Sequence, residues 1–452
     1  MSTYQKIKTR RSLTDRKEQR AERLQKIMER TGMSEEEILD DIKRINELEI
    51  VKVSQVMYGK WDLYWRSQQE LERFLHLFAE RRLLKEQIQA KLRKLDAGEI
   101  SCESMQEEME RCSQMNRQMI SASMVEKFAP QVAAVKAELL DDPALLKETI
   151  IDMETMFFCY AYTYEEYIAF RFMDKTLEER LSFLSGAERR NVLLSINDDA
   201  ASELFHDKHA CYEKFKRYFR RKQICVYSKN DYADFQRFCR KAPAFVKKPL
   251  VAHKGKGVEP VYTDKGTDVK TLMRTLLKEN GPFVAEEMIQ THDALKRVNP
   301  DSVNTVRVET FFDGKNATIS NAFFRVGKAG FFVDNGSAGG IIIPIDLESG
   351  KLTAIGRDKT NITYREHPDT GIVFDGYEIP YWKQLLKLSK KLASMHPAVK
   401  YVGWDLTLNK RGKWVVVEGN ARPGGFGVQR SSGKGTRADF FRVIQKHPND
   451  FR

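Results

Sequence analysis

The stretch 402–423, VGWDLTLNKRGKWVVVEGNARP, constrains this chain more than any other. Val402–Leu408 and Lys413–Gly419 are two runs rich in β-branched and aromatic residues around a turn at Asn409–Gly412, and they predict a β-hairpin. If Leu408 faces Val415 across a short loop, Leu406 faces Val417 and Asp405 faces Glu418. Strand side chains alternate, so Trp404, Leu406, Leu408, Val415 and Val417 share the buried face, while Asp405, Glu418 and Asn420 share the other. Like charges directly opposed across a sheet repel. Either these acids lie on the wet side of an ordinary hairpin, or two carboxylates and an amide oxygen surround a hard cation such as Mg²⁺, which takes one or two carboxylates and completes its shell with water and phosphate oxygens.

The 452 residues, 41% of them hydrophobic, are enough for two or three domains with a large core. The runs 156–162 and 340–345 are core-sized, and nothing approaches a membrane span. The opening residues MSTYQKIKTRRSLTDRKEQR are charged throughout, unlike a secretory signal. Six scattered cysteines show neither a CxxC nor a metal-ligand spacing, so reduced thiols in a cytoplasmic protein are expected. The net charge of +12 is uneven: residues 1–30 hold ten Lys/Arg against four Asp/Glu. A frayed, solvated helix is favoured there over nucleic acid or an anionic membrane surface. His206 and His209 are spaced i,i+3 for one helix face, but no third ligand accompanies them, and surface histidines are expected.

Residues 1–140 are helical in character and poor in Gly and Pro. Ser34 and Glu37 make a capping-box signature for a helix over 34–50. Leu71, Phe74, Leu75 and Phe78 form an apolar stripe, continued by Leu84, Ile88, Leu92 and Leu95. Asp96–Gly98 breaks it, Ser101 can cap the next helix, and Met105, Met109, Cys112, Met115 and Met119 line that one. The pattern is that of an antiparallel helical pair or short coiled coil, with packing as the expected role of the Met stripe and a homodimer or protein partner as a second use. Residues 141–225 continue helical and aromatic. From 226 to about 445, short strand-like runs bounded by Gly and Pro take over, interrupted by helices expected at Lys265–Glu279 and Pro380–Met395, which predicts an α+β fold.

Several of these runs carry chemistry. FVKKPLVAHKGKGV (245–258) ends a strand in lysines and turns through Gly-Lys-Gly, where close backbone N–H groups and Lys248 and Lys256 suit phosphate, although the spacing is not that of a Walker loop. VAEEMIQTHDAL (284–295) is a strand with two acids at its end, either a solvated edge or a contact for adenine and ribose. In SVNTVRVETFF and NAFFRV, Arg307 and Arg325 sit on strands, where a carboxylate or phosphate is needed to neutralise them. VDNGSAGGI (333–341) follows.

Taken in order, a Lys-Pro with a Gly-rich loop, the acid-ended strand, NTVR, the strand-end arginine, DN…GG and GWD…EGN-R-P resemble the ATP-grasp superfamily. The branch most similar is the sugar-transfer-associated ATP-grasp family, related to α-L-glutamate-ligase-like proteins, over about 150–440. The resemblance implies an ATP-grasp fold of two α+β subdomains clamping ATP. Lys248, Gly255, Lys256 and Gly257 would hold its phosphates. Glu287 to Ile289 would form the adenine hinge, with Glu286 or Glu287 as the candidate for polar contacts. Arg307, Arg325 and Asn335 would face the transferred phosphoryl group, and Asp405, Glu418 and Asn420 would carry Mg²⁺. The implied reaction joins a small-molecule carboxylate to an amine through an acyl phosphate, with an acidic sugar or glycan precursor as the family-associated substrate. Two alternatives stand beside it: an ATP-grasp kinase of a small metabolite, and a basic helical scaffold for a partner, nucleic acid or a membrane surface.

Overall fold

Strand-forming runs beyond residue 222 assemble into two separate antiparallel sheets in a computed structural model that describes residues 25, 28–29, 34–36, 83–120, 122–250, 257–330 and 339–451. The strands are β1 (Gln223–Val226), β2 (Ala244–Pro249), β3 (Glu259–Tyr262), β4 (Phe283–Glu287), β5 (Thr305–Phe312), β6 (Ala317–Val326), β7 (Ile341–Pro344), β8 (Gly356–Arg357), β9 (Thr363–Tyr364), β10 (Tyr401–Leu408) and β11 (Trp414–Asn420). The small sheet runs β1-β4-β2-β3 and the large one β11-β10-β5-β6-β7-β8-β9. Mixed helices and antiparallel sheets are the expected α+β class.

The contact pattern divides the chain into two units, residues 1–178 with 448–450 and 452, and residues 179–447 with 451. The division falls within the aromatic helical lead-in. In the first unit, Leu84, Ile88 and Leu92 are buried along a helix over 83–96, and Gly98 at φ +72° ends it. Helices α1 (Gln106–Met119), α2 (Ala122–Ala133) and α3 (Pro143–Tyr160) follow. Met105 and Cys112 are buried while Met109 and Met115 are half-buried. Buried Asn116 donates to Thr155 Oγ1 at 2.9 Å and ties α1 to α3. Asp142 caps α3 by accepting from the Ala144 and Leu145 N–H groups, with Pro143 in the first turn, where a missing N–H costs nothing. The expected helix over 34–50 and the stripe 71–78 lie almost wholly outside the described residues.

The second unit holds α4 (Gly186–Ile196), α5 (Asp199–His206), α6 (Lys208–Phe219), α7 (Tyr232–Lys241), α8 (Val269–Asn280), α9 (Trp382–Ser394), α10 (Phe426–Ser432) and α11 (Arg437–Ile444). His206 ends α5 and His209 lies in α6, with Asp207 between them capping α6, so the two histidines are not one helix face. His209 instead stacks on Tyr212 and lies 3.4 Å from Gln223 Oε1.

Alternation assigns the faces. In the small sheet, Phe245, Phe283 and Ala285 pack on Phe235 and Phe238 of α7 and on Met273 and Leu276 of α8. That leaves Val246, Lys248, Val284 and Glu286 on the opposite face. In the large sheet, Val306, Val308, Val402, Trp404, Leu406 and Leu408 join a core with Phe205, Phe215 and Leu385. Trp404 is fully buried, with the rings of Phe205 and Phe215 edge-on at 5.6 and 5.1 Å. Truncating such a residue to alanine costs about 3–5 kcal/mol.

The hairpin departs from its expected register in one respect. Asp405 does face Glu418, but Leu406 faces Val416, Thr407 faces Val415 and Leu408 faces Trp414. Val417 is the extra residue of a β-bulge. Trp414 and Val416, not Val415 and Val417, therefore join the core beside Trp404, Leu406 and Leu408. Strict alternation would turn Glu418 to the same side as Val416. The bulge resets the phase and returns Glu418 to the side of Asp405.

Among the described residues, no helix is long and apolar enough to cross a membrane.

Candidate active site: a charged cleft bordered by two sheets

Two charge clusters lie in the second unit, one on each sheet. On the small sheet, Lys248 of β2 pairs with Glu286 of β4, a residue only 3% exposed. Glu286 also accepts from Arg221 Nη2 at 3.0 Å and Gln223 Nε2 at 2.9 Å. Burial alone would raise its pKa; the Arg221 and Lys248 charges outweigh that and hold it at about 2.

On the large sheet, Asp405 of β10 stands between Arg307 of β5 and Glu418 of β11. Arg307 grips both Asp405 oxygens, through Nε on Oδ1 and through Nη2 on Oδ2 at 2.8 Å, and Arg325 Nη1 adds a contact to Oδ2 at 2.6 Å. Against the penalty of burial, the two guanidiniums keep Asp405 far below the usual carboxylate range. Glu418 behaves oppositely. Its side chain is exposed to solvent. Desolvation and the Asp405 charge raise its pKa, and a hydrogen bond joins the two carboxyls. Of two adjacent acids, the ionised one disfavours ionisation of the other. Asn420 Nδ2 lies 3.4 Å from Glu418 Oε1.

This arrangement tests the expected cation site. The available donors are hard oxygens, and the carboxylates of Asp405 and Glu418 stand side by side, which fits Mg²⁺. Asp405 is already engaged by two guanidiniums, so Glu418 and Asn420 are the freer donors. Among the described residues, no group of three His, Cys, Asp or Glu side chains is placed to hold a metal ion.

Lys208, at the first position of α6, joins the two clusters. Its Nζ lies 3.3 Å from the Pro249 carbonyl. Burial and the Lys248 charge lower its pKa, while Glu418 and Glu286 oppose that shift, so residues of both sheets act on one ammonium. Sequence reasoning missed Lys208. The available signal was a lysine directly after a capping aspartate, at the positive end of a helix dipole, where a cation is unfavourable.

The remaining expected residues divide three ways. Gly255, Lys256 and Asn335 lie outside the described residues. Gly257 is at φ +69°, a left-handed conformation suited to glycine. Glu287 accepts from the Lys222 N–H at 2.9 Å. Met288 N–H donates to Ala244 O and Lys410 N–H to Gln290 O, so the strip after β4 runs from the small sheet to the β10–β11 turn. Ile289 N–H, between them, has no protein acceptor among the described residues. Glu286 accepts from Arg221 and Lys248 on Oε1 and from Gln223 on Oε2, which makes it a holder of Lys248.

The loop after β11 is pinned from α4 and its C-terminal end. Arg189, buried against Tyr401 and Phe440, donates to Pro423 O at 2.9 Å and pairs with Glu309 at 2.7 Å. Asn197 Nδ2 donates to the carbonyls of Tyr401 and Ala421. Gly403 is required beneath this loop, since a Cβ there would come within 2.6 Å of Pro423.

Residues 188–443 match the family model described as sugar-transfer associated ATP-grasp. No curated protein matches the chain. Among solved structures, D-alanyl-alanine synthetase A from Vibrio cholerae O1 biovar eltor is similar at 11% identity over 56% of this chain and 68% of that one, with a TM-score of 0.36. The ATP-grasp ligase PsnB with a minimal precursor gives 14%, 55%, 63% and 0.34, so this chain spans less than two thirds of it. D-alanine–D-alanine ligase from Bacillus anthracis gives 17%, 56%, 71% and 0.34.

Proposed function

The chain belongs to the sugar-transfer associated ATP-grasp family, an ATP-dependent ligase type, and from that premise we propose that it joins a carboxylate to an amine through an acyl phosphate. The observation that carries this reading is the convergence of Lys208 and Lys248 with Glu418 on one cleft, beside an aspartate held by two arginines. Such a set matches a triphosphate and a migrating phosphoryl group, for which positioning and charge neutralisation supply most of the catalysis.

Lys248 and Lys208 bind phosphate oxygens, with Glu286 fixing Lys248. The Ile289 N–H is the donor offered to an adenine edge. Glu418 and Asn420, with Asp405, would hold Mg²⁺, which when bound neutralises phosphate charge and orients the γ-phosphoryl group. Arg307 and Arg325 lie beside that group and stabilise the charge that accumulates as an acceptor carboxylate oxygen bonds to phosphorus and the bond to the β-phosphate oxygen breaks, releasing ADP. An amine nitrogen then attacks the acyl carbon, phosphate leaves, and the amine gives up a proton. Asn335 is assigned to the same acyl end. An acidic sugar or glycan precursor is the proposed acceptor, on the strength of the family description. Residues 226–445 are assigned to the catalytic domain, 141–225 to a helical lead-in that contributes Lys208, and 1–140 to association with a second copy or another protein.

The test is ADP and free-phosphate release with ATP, Mg²⁺ and a panel of acids and amines. Coupled release of both is expected, and Glu418→Ala should abolish it; loss of one electrostatic contact to the reacting group typically costs about 10²–10³ in rate. Phosphate retained on the acceptor with no free phosphate would mean a kinase. An unchanged rate in Glu418→Ala would remove the metal assignment.

A further inference from the structure

Arg221, in the turn between α6 and β1, has no role in the chemistry above, yet it touches both sheets. Its side chain is 5% exposed. Nη2 donates to Glu286 Oε1 at 3.0 Å and to Val417 O at 3.3 Å, while Nη1 donates to Val416 O and to Phe219 O at 3.2 Å. The guanidinium also lies 4.8 Å from the centre of the Phe219 ring.

Two of these acceptors belong to the β-bulge. An extra residue in a strand leaves backbone groups outside the ladder, and buried carbonyls need donors. The bulge at Val417 is also what turns Glu418 toward Asp405. The same guanidinium that takes the Val416 and Val417 carbonyls neutralises Glu286, and Glu286 in turn holds Lys248. A lysine could supply the charge but not the planar fork that spans carboxylate and carbonyls together.

We propose that Arg221 is a positioning residue that sets the Lys248 side and the Glu418 side of the cleft as one unit, an inference that rests on the nucleotide-cleft reading above. Arg221 touches no reactant. It acts through Glu286 on the phosphate-binding lysine and through the bulge on the strand that ends in Glu418 and Asn420.

The test is calorimetric ATP binding to the full chain, first with a chelator and then with Mg²⁺, in wild type, Arg221→Lys, Arg221→Met, Glu286→Gln and the double variant Arg221→Met/Glu286→Gln, with thermal unfolding run alongside. Arg221→Met should weaken metal-free ATP binding about tenfold, the scale of one charge-assisted contact. It should also reduce the gain in affinity that Mg²⁺ confers. Arg221→Lys should recover the metal-free part, where only charge on Glu286 matters, and not the Mg²⁺ part, where the bulge matters. The double variant should bind no worse than the weaker single, because both act along one chain of contacts. Folded variants that melt earlier but bind ATP within about twofold of wild type, with and without Mg²⁺, would show a purely structural role and overturn the proposal, as would additive losses in the double variant. Wild type that binds no ATP overturns the ligase reading as well, which separates the two failures. If Arg221→Met does not fold, Arg221→Lys alone decides through the contrast between its two binding constants.

Discussion

Replacing Glu286 by glutamine leaves two buried cations, Arg221 and Lys248, without their shared anion. The carboxyl sits at about 2 in the folded protein against an ordinary 4.5. That difference is worth about 3 kcal/mol of stability at neutral pH. The group is almost fully buried, so solvent screening removes little of it. Its pKa is depressed on folding, so the stabilisation is complete above 4.5 and is lost as pH falls toward 2. The gap between wild type and Glu286→Gln should therefore be about 3 kcal/mol at pH 7 and about 1 kcal/mol smaller by pH 4. Denaturant unfolding followed by tryptophan emission reads this unit, since Trp382, Trp404 and Trp414 are buried in its core. For a unit of this size the melting temperature should fall by about 6–12 °C. A variant within about 0.5 kcal/mol of wild type at pH 7, or a gap that does not narrow in acid, would refute the assignment of Glu286 as the anion that holds this cluster together.

Three further outcomes follow from the same geometry. Glu418 keeps its proton above the ordinary 4.5 because of burial and Asp405, and a cation must displace that proton, so the half-saturating Mg²⁺ concentration should fall as pH rises through the range just above 4.5; a pH series of Mg²⁺-dependent ATP binding that stays flat there, or slopes the other way, would contradict it. Lys208→Met should raise the KM for ATP about tenfold with little change in unfolding temperature, because the lysine is already destabilised by Lys248 and is retained for a ligand; steady-state kinetics and thermal unfolding together check this. Gly419→Val should destabilise by about 1–3 kcal/mol, since a Cβ there already lies 2.8 Å from the Phe205 ring and 3.0 Å from Trp404, and calorimetric melting would measure it.

Much of the cleft was readable along the chain. β5 and β6 form within and around the runs SVNTVRVETFF and NAFFRV, and β10 covers the expected Val402–Leu408 with one residue more at its start. The Asp405–Glu418 pairing followed from counting outward from the turn, although the count passed through the wrong partners for Leu406 and Leu408. The errors cancelled because the bulge at Val417 consumes one residue and the connection from Leu408 to its partner is one residue shorter than assumed. Alternation has no means of detecting a bulge without its partner strand. Lys248 was found because a basic strand end before Gly-Lys-Gly has a local signature. Lys208, Arg221 and Arg189 were missed because their significance lies in contacts with residues 41 to 234 positions away.

What the amino-acid order determined by itself is the strands β2, β4 to β7, β10 and β11, the α+β character, and which residues carry oxygen and charge on those strands, since these depend on side-chain period and turn chemistry within a few residues. Only the tertiary structure decided which charges neutralise which. Asp405 spends both oxygens on Arg307 and Arg325, and Glu286 turns from a ribose candidate into the anion of Lys248 and Arg221. The physical reason is that a buried charge takes whatever counter-ion the fold brings within about 3 Å, and that neighbour is set by sheet pairing and helix packing across hundreds of residues.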